Sequence, residues 1–339
     1  MSQKPVDPPT RTWRSLVVVL LFAASTVGLF EAAIHRLAPM PRRDLEVDDG
    51  VAQVKSGNPR FLVLGSSHAG SYLPLLKRLG PENVAVITEE GGSFSAFEWV
   101  YRERLAGFLN DKRPDGGWQR DHLREVMLVT TYWDACPAGQ TGFAGNLPAR
   151  AWLLQHYLAD VWEHGFTSQN RNFPFTEFKR LFSASMLAQD RGLWGVRDSL
   201  KGVESPDSIE GRKRAWVERR RPEMEQEGLH CQTPDELAAL DRLIDAFQTR
   251  GAHVTLVAFP LMPELLTDVT RQNTLGPFST YLASLAERRH VRVIDHTTRS
   301  PMVYGDFELD CDHLTIAARE KYIDWALAGD LGFLRAESP

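Results

Sequence analysis

Five short apolar runs recur along the C-terminal three quarters of the chain, at Arg60–Leu64, Asn83–Thr88, Val126–Thr131, His253–Phe259 and Val291–Asp295. Each is rich in Val, Leu and Ile with little alternation, as expected of strands buried on both faces. Between them the spacing changes to a helical period, over Tyr72–Leu79, over an amphipathic stretch Ala96–Phe108, and over Ala317–Leu327. Strands separated by helices predict a parallel sheet covered on both faces, an α/β fold.

The N-terminus has a different pattern. Ser15–Phe30 carries no charge, and the apolar stretch reaches Ile34 if Glu31 is tolerated near an interface. About twenty such residues suffice to cross the ~30 Å hydrocarbon core of a bilayer. Trp13 flanks the span, and Lys4, Arg11 and Arg14 precede it, as in a signal anchor with its N-terminus in the cytoplasm. The expected organisation is therefore a cytoplasmic segment 1–14, a transmembrane anchor 15–34, a linker 35–59 rich in Pro, Gly and acidic residues, and one domain over 60–335. A cleaved signal peptide is the alternative, since Ala23, Ala24, Ala32 and Ala33 supply small residues near the end of the apolar region. A long insertion, about 137–233, separates the third and fourth strands and is helical in character. Its aromatics, Trp152, Tyr157, Trp162, Phe166 and Phe173 among them, either pack it onto the sheet, or line a groove for sugar rings or form a lid over Ser67.

Two short segments carry candidate chemistry. Gly65-Ser66-Ser67-His68 follows the first strand, and Asp310-Cys311-Asp312-His313 lies near the C-terminus. A serine hydroxyl is a weak nucleophile until an imidazole takes its proton, and the imidazole needs a carboxylate to fix its tautomer. Ser67, His313 and Asp310 fill those roles, and ligands of open α/β sheets bind at the carboxyl ends of strands. The non-catalytic reading makes Ser67 and Asp310 helix caps, with His313 packed in a first helical turn. Asp295-His296 also ends a strand, but His296 is expected to be structural.

Gly65-Ser66-Ser67-His68-Ala69 resembles the first block of the SGNH/GDSL hydrolase superfamily, and Asp310-x-x-His313 followed by Leu314-Thr315 resembles its last block. Position 66 is Ser where that family usually has Asp. His68 after the serine resembles a variant found in bacterial enzymes that move or remove acyl groups on cell-surface polysaccharides. The resemblance implies a flavodoxin-like three-layer α/β/α sandwich, Ser67 as nucleophile, His313 as base and Asp310 as orienting acid. It also implies an oxyanion hole from the Ser67 N–H and a Gly block, for which Gly92 in Gly91-Gly92-Ser93 is the candidate. The family's Asn block is absent: the third strand ends in Tyr132-Trp133-Asp134, so a hydroxyl of Thr131 or Tyr132, or a second backbone N–H, is the expected substitute, with Asn146 a more distant one. His68, Trp133 and Asp134 are the expected substrate contacts.

Composition narrows the function further. Residues 1–43 hold six Lys/Arg and two Asp/Glu, so the 33 basic and 42 acidic residues that remain leave a net charge of −9, which disfavours nucleic acid as a partner. The cluster Arg212-Lys213-Arg214 with Arg219-Arg220-Arg221 reads as a solvated helix face. Three cysteines do not make a disulfide scaffold; a Cys136–Cys311 bridge is one expectation, ordinary semi-buried thiols the other. No metal or other cofactor is expected from the spacing of His, Cys and Asp. The expected activity is a serine esterase or O-acyltransferase on acyl esters of a cell-surface or exported polysaccharide, with the membrane and envelope assembly proteins as partners. The alternative is a non-catalytic membrane-tethered subunit that binds glycan or a partner enzyme.

Overall fold

The computed structural model describes residues 42–89, 93–111, 122–136, 206–227 and 231–336, with Ser25 and Trp162 as isolated positions. By internal contact the chain divides into one unit of Met1–Arg42 with Arg180–Val203 and a second of Arg43–Lys179 with Glu204–Pro339, and the second carries the sheet.

All five apolar runs are strands: β1 (Phe61–Ser66), β2 (Val84–Glu89), β3 (Glu125–Thr130), β4 (His253–Ala258) and β5 (Arg292–Asp295). They form one parallel sheet in the order β2-β1-β3-β4-β5. Every residue of β1, β2 and β3 is buried, and since successive side chains point to opposite faces, both faces of the sheet are covered. The chain runs outward from β1 to β2 on one side and from β3 to β4 on the other, so the strand order reverses between β1 and β3. Such a switch point opens a crevice beyond the carboxyl ends of the two strands. Gly65 is needed for their close approach, because a Cβ there would stand 2.5 Å from the Val129 carbonyl oxygen.

The helices pack through apolar stripes with polar fastenings at the rim. A helix beginning at Phe94–Val100 continues through a π turn, Tyr101–Leu105, into Ala106–Leu109. It lies against the helix Pro234–Thr249 through Tyr101 and Phe247, and Arg242 forks onto Glu98 at 2.6 and 2.7 Å. The helix Ile316–Ala328 is tied to the turn after β1 by the hydroxyls of Tyr72 and Tyr322, 2.8 Å apart.

Three expectations change. Residues 42–57, expected within a linker, form the helix Arg42–Gly57, which buries Val51 and Val54; Gly50 lets it approach β2, where a Cβ would meet the Val86 carbonyl. Cys136 is bridged to Cys231 and not to Cys311, which is free and buried. The reason is connectivity: Gln232 and Thr233 donate to the Ala135 carbonyl, which brings Cys231 beside the end of β3. The basic cluster is only half solvated, since Lys213 and Arg220 are 6% and 8% exposed on the helix Pro206–Glu227. Most of the insertion and the predicted span 15–34, apart from Ser25, lie outside the described residues, among which no helix is long and apolar enough to cross a membrane.

Candidate active site

β1 ends at Ser66 in extended backbone, and Ser67 opens a tight helical turn, Ser67–Tyr72, whose remaining residues are all buried. The chain thus reverses direction at the crevice and leaves Ser67 at its edge. The second half of the site is the segment 307–314, closed by an antiparallel bridge between Phe307 and Leu314 and by Glu308 N–H donating to the His313 carbonyl at 2.7 Å. Within it Cys311 takes φ 62°, a left-handed conformation that a residue with a side chain adopts only when its surroundings enforce it. Asp310 enforces it by accepting the Asp312 and His313 backbone N–H groups on Oδ1, both at 3.1 Å.

Asp310 Oδ2 stands 2.6 Å from His313 Nδ1, and His313 Nε2 stands 2.6 Å from Ser67 Oγ. The three side chains are therefore joined in series, carboxylate to imidazole to hydroxyl. Burial alone would push the His313 imidazolium down, but the hydrogen bond it donates to Asp310 and the charges of Asp312, Asp310 and Glu308 hold it up at about 9. Burial works against the Asp310 carboxylate too, and its bonds to His313 and to two backbone N–H groups keep it below the usual range.

The other predicted contacts are placed less openly. Asp134 is 1% exposed; burial raises its carboxyl well above the ordinary range, and it accepts from Thr131 N–H at 2.7 Å and from the Ser66 hydroxyl. It supports the end of β3. His68 is 4% exposed, with Nδ1 3.0 Å from Ser66 Oγ and Nε2 3.1 Å from Asp312 Oδ1, a charge contact outside hydrogen-bond angles. Trp133 carries the Arg220 guanidinium over its ring at 3.8 Å, and Arg220 donates to the Tyr132 hydroxyl at 3.2 Å. Of the expected substitutes for the missing Asn, the Thr131 N–H is taken by Asp134, while the Tyr132 hydroxyl oxygen accepts from Arg220. Gly92 and Asn146 lie outside the described residues. His296 is fully buried against Tyr322 and Trp325, as its structural reading requires.

Three supporting residues escaped the sequence reading. Lys213 donates to the Tyr304 and Phe307 carbonyls at 2.5 and 2.6 Å, clamping the stretch that leads into the Asp310–His313 turn. Glu236 accepts the Ser95 N–H and hydroxyl at 2.8 and 2.9 Å, and so anchors the helix start directly after Gly91-Gly92. Asp312 faces both His68 and His313, and these with Arg220 keep it ionised against burial. His68, Asp312 and His313 are residue types that bind cations and bring ligand atoms within 4.8 Å of one another. Both His313 nitrogens are engaged by Ser67 and Asp310, and the His68 and His313 rings are 7° from parallel, so their in-plane lone pairs do not converge on one ion.

No protein-family model and no curated protein matches the sequence. Among solved structures, a protein of Streptococcus pneumonia provisionally described as a platelet activating factor aligns with 92% of this chain and 99% of its own, at 11% identity and a TM-score of 0.34.

Proposed function

We propose that this chain is an SGNH-like serine esterase or O-acyltransferase that acts on acyl esters of a cell-surface or exported polysaccharide, with residues 15–34 as its membrane anchor. The observation that carries the reading is the unbroken series Asp310–His313–Ser67, each link 2.6 Å, at the switch point of a parallel sheet. The flavodoxin-type strand order and the two sequence blocks support the family resemblance. The Cys136–Cys231 bridge supports an oxidising, extracytoplasmic setting.

In the mechanism, neutral His313 Nε2 takes the proton of Ser67 Oγ as the oxygen attacks the acyl carbonyl. The tetrahedral oxyanion is held by the Ser67 and Gly92 N–H groups, and collapse expels the sugar alkoxide, which takes the proton from His313. Water or another sugar hydroxyl then gives its proton to His313 as it attacks the acyl-serine, and collapse breaks the acyl–Oγ bond, with Ser67 Oγ taking the proton back from His313. Asp310 fixes the His313 tautomer throughout.

Fluorophosphonate labelling of the full chain in detergent, with the modified peptide mapped by mass, tests this. Labelling at Ser67, absent from Ser67→Ala, is the expected result. One observation favours the second reading, a non-catalytic tethered subunit: the Thr131 N–H at the end of β3 is already engaged by Asp134. A folded sample that takes no label at Ser67 selects that reading.

A further inference from the structure

Beside the series that ends on Ser67 runs another, interleaved with it in sequence. Ser66 and His68 flank Ser67, and Asp312 precedes His313. Ser66 Oγ lies 3.0 Å from His68 Nδ1, and His68 Nε2 lies 3.1 Å from Asp312 Oδ1. The His68 and His313 rings lie 7° from parallel with centroids 5.0 Å apart, and Phe259 stands on His68 at 4.8 Å. Whichever atom donates in the Ser66 pair, a proton on Nε2 is what makes the approach to the Asp312 carboxylate attractive.

We propose that Ser66, His68 and Asp312 form a second relay that positions the first: His68 fixes the plane of the His313 ring, and Asp312 supplies a charge that stabilises a proton on it. The proposal rests on the catalytic reading for its purpose but not for its geometry. The charged or titratable groups facing His313 are Asp310, Asp312, Glu308 and His68, with Arg220 acting on Asp312 from the helix Pro206–Glu227 and Asp134 on the far side of Ser66. Asp310 is bonded to His313 and sets its tautomer; Asp312 touches His68 and acts on His313 through space. Because His68 is almost wholly buried, its part is to position and not to meet substrate. When His313 takes up the serine proton, the new charge forms beside an ionised Asp312, which lowers the energy of the transition state relative to the neutral pair.

The test compares the full chain with Asp312→Asn, Asp312→Glu and His68→Gln. Two readouts are taken: the ring-nitrogen titration of His313 by 15N NMR, and the pH profile of fluorophosphonate attachment to Ser67. Asp312→Asn is expected to lower the His313 midpoint by about one unit and the limiting labelling rate at high pH by about threefold. Asp312→Glu is expected to restore the midpoint. His68→Gln keeps a donor for Asp312 but lacks the ring; it is expected to leave the midpoint in place and lower the limiting rate by about tenfold. An unchanged midpoint in Asp312→Asn, or an unchanged rate in His68→Gln, overturns the proposal. If Asp312→Asn does not fold, Asp312→Ser is read in the same way. If the wild type takes no label at all, the catalytic reading has failed, and the 15N midpoints still decide whether the relay exists.

Discussion

His313 Nε2 lies 2.6 Å from Ser67 Oγ across 246 positions of sequence. The contact depends on β1 ending beneath the crevice and on the 307–314 segment being pinned above it by Lys213 and the Phe307–Leu314 bridge.

Replacement within the series has a graded outcome. Ser67→Ala and His313→Ala are expected to abolish turnover of an acyl ester, and Asp310→Asn to reduce it at least a hundredfold or so by releasing the tautomer. Ser67→Ala is expected to keep a thermal midpoint close to wild type, while His313→Ala and Asp310→Asn lose at neutral pH the stability that their mutual bond supplies. Activity retained in Ser67→Ala would remove the nucleophile from the scheme.

With His313 held at about 9, the base is mostly protonated at neutral pH, and reactivity of Ser67 is expected to climb as pH rises toward and through that value. The stability effect has the opposite sense. A proton bound more tightly in the folded state stabilises it fully below the unfolded value near 6.5, and that contribution is lost as pH rises through about 9. The depressed carboxyls of Asp310 and Asp312 add stability that disappears as pH falls below about 4. Thermal midpoints measured from pH 6 to 10 are expected to decline less in His313→Gln than in wild type.

Lys213→Met keeps the side chain's length and removes its charge. The Tyr304 and Phe307 carbonyls then lose their shared donor, at about 1–3 kcal/mol, and the catalytic turn loosens. Denaturant unfolding is expected to show that loss, with a larger proportional fall in kcat than in substrate affinity.

Gly65→Ala places a methyl group where 2.5 Å separates it from the Val129 carbonyl. β1 and β3 must move apart, at about 1–3 kcal/mol. The crevice between them is expected to widen, so activity falls further than the loss of folded protein accounts for; a crystal structure of the variant would show the strand separation directly.

The strands were legible because a parallel sheet leaves almost no exposed face: in β1, β2 and β3 every position is apolar, small or sealed, which makes the signal a run and not a pattern. Ser67, Asp310 and His313 were legible because their chemistry sits in two compact blocks. The supporting residues were not, for reasons particular to each. Lys213, Val217, Arg220 and Met224 form one buried stripe at helical spacing, but two of its members are basic and stand among other basic residues, so charge masked the period. Arg42–Gly57 was concealed in the same way by its acidic residues, with Val51 and Val54 too few to announce an inward face. Cys231 lies 95 residues from its partner, and no local spacing encodes that pairing.

That bridge alters what a break in the chain would mean. Cys136 and Cys231 hold Cα atoms 4.1 Å apart at the two ends of a 95-residue separation. A single protease cut anywhere between them yields two polypeptides that remain one molecule, with β1, β2 and β3 on one fragment and β4, β5 and the Asp310–His313 turn on the other. Ser67 and His313 would then belong to different chains, joined covalently by that bridge alone and otherwise by the pairing of β3 with β4.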